Sequence, residues 1–269
     1  MGATGNAGEF EKIFQTVTSV VFGRKLAGHQ DYEAWLGKNV SGNEFGKSML
    51  SGEQVYLPPF DFYREIKQNI VTNGEADGLG KERLSDAELE KLSLSNAGEL
   101  LARLAATTPN TIYGENSNME DCSFYCNSHN CLKSCGLNQS KCCLYSFWPR
   151  QSEYAIGCYY LFSSKFCIKC YNSENLTRCF ELSDCNNCGD SLFCHNCENV
   201  HDSMFCFNAK NLRNAIGNVQ VLPERYKEIK SRLLGEISAE LEKTKSLKWD
   251  IFNIGRRREG LWYHRLTKR

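Results

Sequence analysis

No cysteine precedes Cys122, the 269 residues include only five prolines, and the charges cancel, 32 Lys and Arg against 32 Asp and Glu. That balance implies no global attraction to nucleic acid or to an anionic membrane surface. No run approaches the roughly 18 apolar residues that a membrane-spanning helix needs. Met1 to Gly8 lacks the basic and apolar stretches of a secretory leader. The expected compartment is therefore the cytoplasm, where cysteines stay as thiols. A phosphate loop, a dinucleotide fingerprint, a histidine-rich metal triad and a nucleophile elbow are also missing. The sequence points to no reaction class.

What is present is a repeat. All fifteen cysteines fall between Cys122 and Ala215, a stretch that aligns with itself in nines without insertion or deletion. From Cys167 the units read CIKCYNSEN, LTRCFELSD, CNNCGDSLF, CHNCENVHD, SMFCFNAKN and LRNAIGNVQ. The fourth column holds Cys170, Cys179, Cys188, Cys197, Cys206 and Ala215. The first column, and the seventh as far as Ala209, hold Cys, Ser, Leu, Ala and Val, with Asn218 in the last seventh place, while Asn, Asp, Glu, Lys, Arg and some aromatics lie between. Small residues in fixed columns at a short period are the signature of a solenoid, and helical repeats need about 30 residues or more per unit. The expected fold is α+β: a short parallel β-solenoid of nine-residue Cys-rich repeats, flanked by a helical N-terminal region and a C-terminal helix. Two nines would close a flattened coil of about eighteen residues and three a larger one. Asn172, Asn175, Asp184, Asn186, Asn187, Asp190, Asn196, Asn199, Asn208 and Asn211 suit corners, because Asn and Asp tolerate left-handed backbone. Cys126 and Cys135 sit one place late, and the Pro149 unit has no cysteine, so a bulge or loop is expected there.

Three roles are open to the cysteines. Leu, Ser and Ala replace Cys in the same columns, as in a core ladder of small buried side chains. Local CxxC pairs suit zinc, with Cys185, Cys188, Cys194 and Cys197 the best candidate site. Disulfides are the third role, although the count is odd. Glu181, Asp184, Asp190 and Glu198 are candidate acids if the face acts on a polysaccharide; as corner residues they need no catalytic role.

The expected domains are 1–110 (a helical cap or attachment region), 111–221 (the solenoid), 222–246 (a helix) and 247–269 (a basic aromatic tail). Phe10, Ile13, Phe14, Val17, Val20 and Val21 recur at helical spacing up to Gly23. Asp31 to Leu36 reads as a short helix with Tyr32, Trp35 and Leu36 on one side. The residues through Gly52 are glycine-rich and mixed, and Pro58-Pro59 introduces a helix bearing Phe60, Phe62, Tyr63, Ile66 and Ile70. Asn73 to Arg83 reads as a loop, and Ser85 to Ala106 as helix with a break near Ser95-Asn96 and a capping box at Ser85 and Glu88. This region is expected to cover one end of the solenoid. Pro223 opens a helix whose stripe of Tyr226, Ile229, Leu233, Ile237 and Leu241 packs on the coils or forms a homo-oligomer seam. In the tail, Arg256, Arg257, Arg258, Trp262, Tyr263 and Arg265 suit a protein partner or nucleic acid.

At the repeat, and at GEQVYLPPFDFYREI, IYGENSNMEDC and FNAKNLRNAIGNVQVLPERYKEIK, the chain resembles uncharacterised cysteine-rich nonapeptide-repeat proteins of uncultivated bacteria, archaea and some of their viruses. The resemblance covers most of residues 45 to 240. Many of those proteins resemble zinc-finger proteins at their N-terminus, a part absent here because no cysteine precedes Cys122. The resemblance implies tandem cysteine-Asn units followed by a Lys/Glu-rich helix, and it adds a virion as an expected location. The expected function is a non-enzymatic structural or protein-interaction scaffold with protein partners in a larger assembly, without cofactor. The alternative is a zinc- or iron-sulfur-binding module that contacts nucleic acid through the tail.

Overall fold

The structure is a computed structural model, and it describes residues 3–255. Helix α1 (Ala3–Phe22) leads into a 3-10 turn (His29–Tyr32) and the short α2 (Glu33–Leu36). A hairpin of β1 (Glu44–Lys47) and β2 (Gln54–Leu57) follows, then α3 (Asp61–Glu65), α4 (Asn73–Leu79), α5 (Asp86–Lys91) and α6 (Ala97–Leu101). The solenoid begins with β3 (Ile112–Tyr113), β4 (Ser117–Glu120), β5 (Ser123–Cys126), β6 (His129–Leu132) and β7 (Cys135–Asn138). It continues with β8 (Phe147–Arg150), β9 (Glu153–Ile156), β10 (Tyr159–Phe162), β11 (Lys165–Ile168), β12 (Tyr171–Glu174) and β13 (Thr177–Phe180). A small hairpin, β14 (Ala215–Ile216) with β15 (Val219–Gln220), ends it before α7 (Pro223–Thr244).

The parallel β-solenoid flanked by helices is thus present, but its coil is neither eighteen residues nor longer. Tyr159 pairs with Phe147 and Tyr171, and Cys167 with Ala155 and Cys179, so the chain advances twelve residues per coil. Strands cover about six turns, residues 112–180. Single bridges carry the same register on to Met204 and Ile216. The unit inside the coil is three residues long. From Asn118 to Gly217 every third residue has φ between +45° and +74°. The residue after it points inward, and the next points outward. Nine is three such units, which is why the nines align without a gap. All the Asn and Asp residues expected at corners hold this left-handed position except Asn186, which lies at a bridge. Aromatic residues hold it too, among them Trp148, Tyr154, Tyr160 and Phe166. A residue with a Cβ pays roughly 1–2 kcal/mol there, and ring stacking between coils offsets part of that cost, as in Tyr154 on Phe166 with centroids 4.8 Å apart.

Four side chains fill each coil, for example Ser164, Cys167, Cys170 and Ser173, all buried. The lumen admits only small groups, and Cys and Ser make the same contacts in it. Ser146 Oγ donates to the carbonyls of Leu144 at 3.0 Å and Ala155 at 3.2 Å, two residues back and nine ahead. Cys158 Sγ donates to Ile156 and Cys167 in the same way, at 3.5 Å each. The expected bulge is not formed. Cys126 and Cys135 are late because they point outward, and Pro149 occupies an inward position with Cys135 on Phe147 and Asn138 on Arg150 in register.

Helix α1 of the N-terminal region lies along the flank of the solenoid, while Asn43, Tyr56 and Phe60 of the same region contact its first coils. Leu132, Leu144, Ile156, Ile168, Phe180, Leu192 and Met204, twelve apart, form an apolar column on the outer face of the strands β4, β6, β9, β11 and β13 and the coils that continue them. Phe10, Ile13, Phe14, Val17 and Val21 of α1 pack on this column with Tyr226 and Leu241 of α7. Val20, on the same helical spacing, is exposed. Burying each such side chain contributes about 1.5–3 kcal/mol, so a column of seven is enough to hold a helix lengthwise. The expected helix after Pro59 shrinks to the five residues of α3, and Ile70 instead bridges Thr107. The expected loop at Asn73 is α4, capped reciprocally by Thr72 and Glu75, and the stretch before Gly52 contains β1 of the hairpin. The Ser85 and Glu88 box is present.

Gly157 has φ +65°, and a Cβ there would sit 2.8 Å from the Leu36 carbonyl oxygen. Gly217 has φ +58° with open space beside it. Gly157→Ala should therefore lower stability by about 3 kcal/mol and Gly217→Ala by about 1 kcal/mol. Denaturant titration of both variants measures the difference.

Candidate interaction face

The coil has two broad faces. The one bearing the apolar column is covered by α1 and α7. The other is built on β3, β5, β7, β8, β10 and β12 and the bridged coils that follow. Phe60 covers its first coils, against Phe124, Phe147 and Trp148 with centroids 5.2–6.2 Å away. Beyond Tyr160, Asn172, Glu174, Asp184, Asn186, Asn196, Glu198, Asn208 and Lys210 are all exposed.

This open face is polar, but its polar groups are engaged with each other. Each side chain meets its equivalent one coil away: Asn172 donates to Asp184, Asn186 to Glu174, and Lys210 to Glu198. Asn196 donates to Asn208 at 2.8 Å, and along the adjoining edge Asn199 donates to Asn211 at 2.7 Å. Lateral pairing fixes the rotamers and leaves a flat, rigid surface with the strand spacing of about 4.8 Å. A shallow hollow of about 340 Å³ lies on it between Phe162, Asn172, Glu174, Asp184 and Asn186.

The four carboxylates read as candidate acids do not converge. Asp184 accepts from Asn172 and Ser183, Asp190 pairs with Arg178 at 2.8 Å, and Glu198 pairs with Lys210. Glu181 is not a solvated corner residue, as its place in the sequence suggests. It is fully buried at the corner beside the apolar column, 3.5 Å from the equally buried Lys169 one coil below. Lys169 Nζ donates to the Trp35 carbonyl at 3.1 Å, and Glu181 Oε2 accepts from Ile251 N at 3.0 Å. The pair therefore ties the N-terminal segment and the C-terminal turn to the same corner. Lys38 and Asp250, 2.7 Å apart, tie those two segments to each other. A twelve-residue comparison would have found this pair, since Lys169 and Glu181 occupy the column of Gly157 and Phe193; the nine-residue frame hides it.

Of the fifteen cysteines, fourteen are buried and Cys126 is half-buried; all are free thiols. Burial pushes Cys135 and Cys179 up to about 12 and Cys142 to about 11. Cys185, Cys188, Cys194 and Cys197 lie in two successive coils of the lumen. Their thiols donate to main-chain carbonyls, such as Cys185 to Ser183 at 3.2 Å and Cys197 to Cys206 at 3.3 Å. Hydrogen bonds with Cys188 and Cys197, then burial, push Cys185 up, and its contact pulls Cys197 down. Among the described residues no group of three or more His, Cys, Asp or Glu side chains is gathered to hold a metal ion. Arg256, Arg257, Arg258, Trp262, Tyr263 and Arg265 lie outside the described residues. Among the described residues no helix is long and apolar enough to cross a membrane. The chain matches no protein-family model and no curated protein.

Two measurements check these assignments. Under reducing-agent-free conditions a thiol reagent should label about one cysteine in the native chain, Cys126, and all fifteen after unfolding. Strong chelation should leave the melting temperature unchanged; a fall would mean that metal holds the coils. Burial raises Glu181 from 4.5 to about 7, against the opposing pull of Lys169. Between pH 4.5 and 7 the folded chain then holds a proton that the unfolded chain has lost, so stability falls as pH rises through that window and levels off above it. Glu181→Gln should remove this slope. It should also destabilise the protein by about 3–5 kcal/mol above pH 7, because Lys169 is left buried without a counter-charge.

Proposed function

We propose that the protein is a non-enzymatic structural scaffold that binds other proteins within a larger assembly through the open face of its solenoid. The observation that carries this reading is the asymmetry of the coil. Both long helices are packed on one face, while the other is flat and exposed over four coils, with its side chains already paired along the axis. A partner laid on it meets little side-chain freedom to freeze, which lowers the entropic cost of association. The candidate acids Asp184, Asp190 and Glu198 are each held by a neighbouring amide, hydroxyl or cation, and Glu181 is buried away from the face. The cysteines act as dry filling that keeps the scaffold rigid. The resemblance to repeat proteins found in some viruses extends the reading to a component of a virion. The basic aromatic residues Arg256, Arg257, Arg258, Trp262, Tyr263 and Arg265 would provide a second attachment.

Glu174→Arg with Glu198→Arg alters two exposed positions of the open face. The double variant should melt within a few degrees of the native chain, as surface substitutions do. Sedimentation of extracts from the source should place the native chain in a large complex and the variant as a free chain. Recovery of the native chain only as a free monomer would refute the reading.

A further inference from the structure

A hollow of about 450 Å³ lies between the end of α1 and one face of α7, lined by Arg24, Lys227, Lys230, Ser231, Gly235 and Ser238 among others. The five α7 residues recur at three-, four- and eight-residue steps, which places them on one side of the helix. No carboxylate lines the hollow. Glu242 reaches Arg24 from outside it, at 2.7 Å. Lys230 Nζ is fixed by the Asp190 carbonyl at 3.1 Å, a neutral partner that leaves its charge intact. Lys227 is in no ion pair among the described residues.

Two further features of α7 at this hollow work against helix stability. Ser238 is 1% exposed, and its Oγ has no hydrogen-bond partner among the described residues. An alanine of nearly the same size would avoid that unsatisfied group. Gly235 sits in the middle of a 22-residue helix, yet a Cβ there would meet nothing within 4 Å. No close approach requires a glycine, which is the poorest helix former apart from proline. Local choices that work against the fold and converge on one hollow mark it as a site.

We propose that this hollow binds an oxyanion of the phosphate class. Lys227 and Lys230 supply the charge, Ser238 Oγ, shielded and unpaired at the floor of the hollow, turns outward to donate to an anion oxygen, and Arg24 stands at the rim. Cationic side chains with a hydroxyl donor form short, charge-assisted hydrogen bonds to phosphate oxygens. The volume exceeds that of a bare phosphate and falls in the range of small-ligand sites. Phe22 and Leu234 form an apolar wall for an attached organic group. The site shares no residue with the open face, so it stands or falls independently of the scaffold reading.

Titration calorimetry on the full chain tests it, with inorganic phosphate, glycerol 3-phosphate and sulfate as probes at constant ionic strength. One saturable site for a phosphate probe is expected, with a rise in melting temperature. A tighter glycerol 3-phosphate isotherm would identify an ester, and an equal one the free ion. Ser238→Ala should melt no lower than the native chain yet bind about tenfold more weakly, and Lys227→Gln likewise. Failure of both phosphate probes to saturate overturns the proposal. So does binding that neither substitution weakens, which would be an adventitious ion only.

Discussion

The width of the lumen governs this protein. A coil of twelve residues, turning at every third, leaves room inside for four side chains and for no large group at most levels. Cys, Ser and Ala fit, and Cys and Ser each carry a donor that reaches the carbonyl nine residues on, in the next coil. Neighbouring coils are thus joined twice, by main-chain bonds along the strands and by thiols and hydroxyls within the lumen. A core so thin contributes little apolar burial per residue, and the rest of the stability has to come from outside the coil.

That contribution comes from one side. The column from Leu132 to Met204 gives α1 and α7 a continuous apolar seat, and their packing gives the molecule a covered face and an open one. The buried pair of Lys169 and Glu181 secures the arrangement at its corner, reaching a carbonyl of one flanking segment and an amide of the other. A buried pair is weak evidence for stability as such, because desolvation offsets much of the attraction. What the pair does is join the two segments to one corner, through the Trp35 carbonyl and the Ile251 amide. With both helices committed to one face, the other is left open, and the proposed scaffold role draws on that division.

Much of the fold was legible from local pattern. Small residues in columns, Asn and Asp at corners, the spacing of Phe10 to Val21 and the proline that opens α7 each reflect a local constraint that the structure retains. Other elements were not legible, for particular reasons. The hairpin around Gly46 has strands of four residues, too short for alternation to stand out. The cap of α4 depends on Thr72 and Glu75, just before a polar stretch that reads as loop. Cys126 and Cys135, one place late in the nine-residue frame, suggest a bulge, yet they belong to the outer surface of an unbroken coil.

The amino-acid order alone determined that the middle of the chain is a solenoid and that most of its cysteines belong to repeated columns, because periodicity is a property of the chain itself. It could not decide the length of the coil. Nine, twelve and eighteen are all multiples of three, and only the pairing of strands selects one of them. Tertiary structure also decided which face is covered, and that Glu181 is buried beside Lys169 while Asp184 stays in the open. Those outcomes depend on which residues lie twelve apart and on what packs over them, and neither is fixed until the coils are stacked.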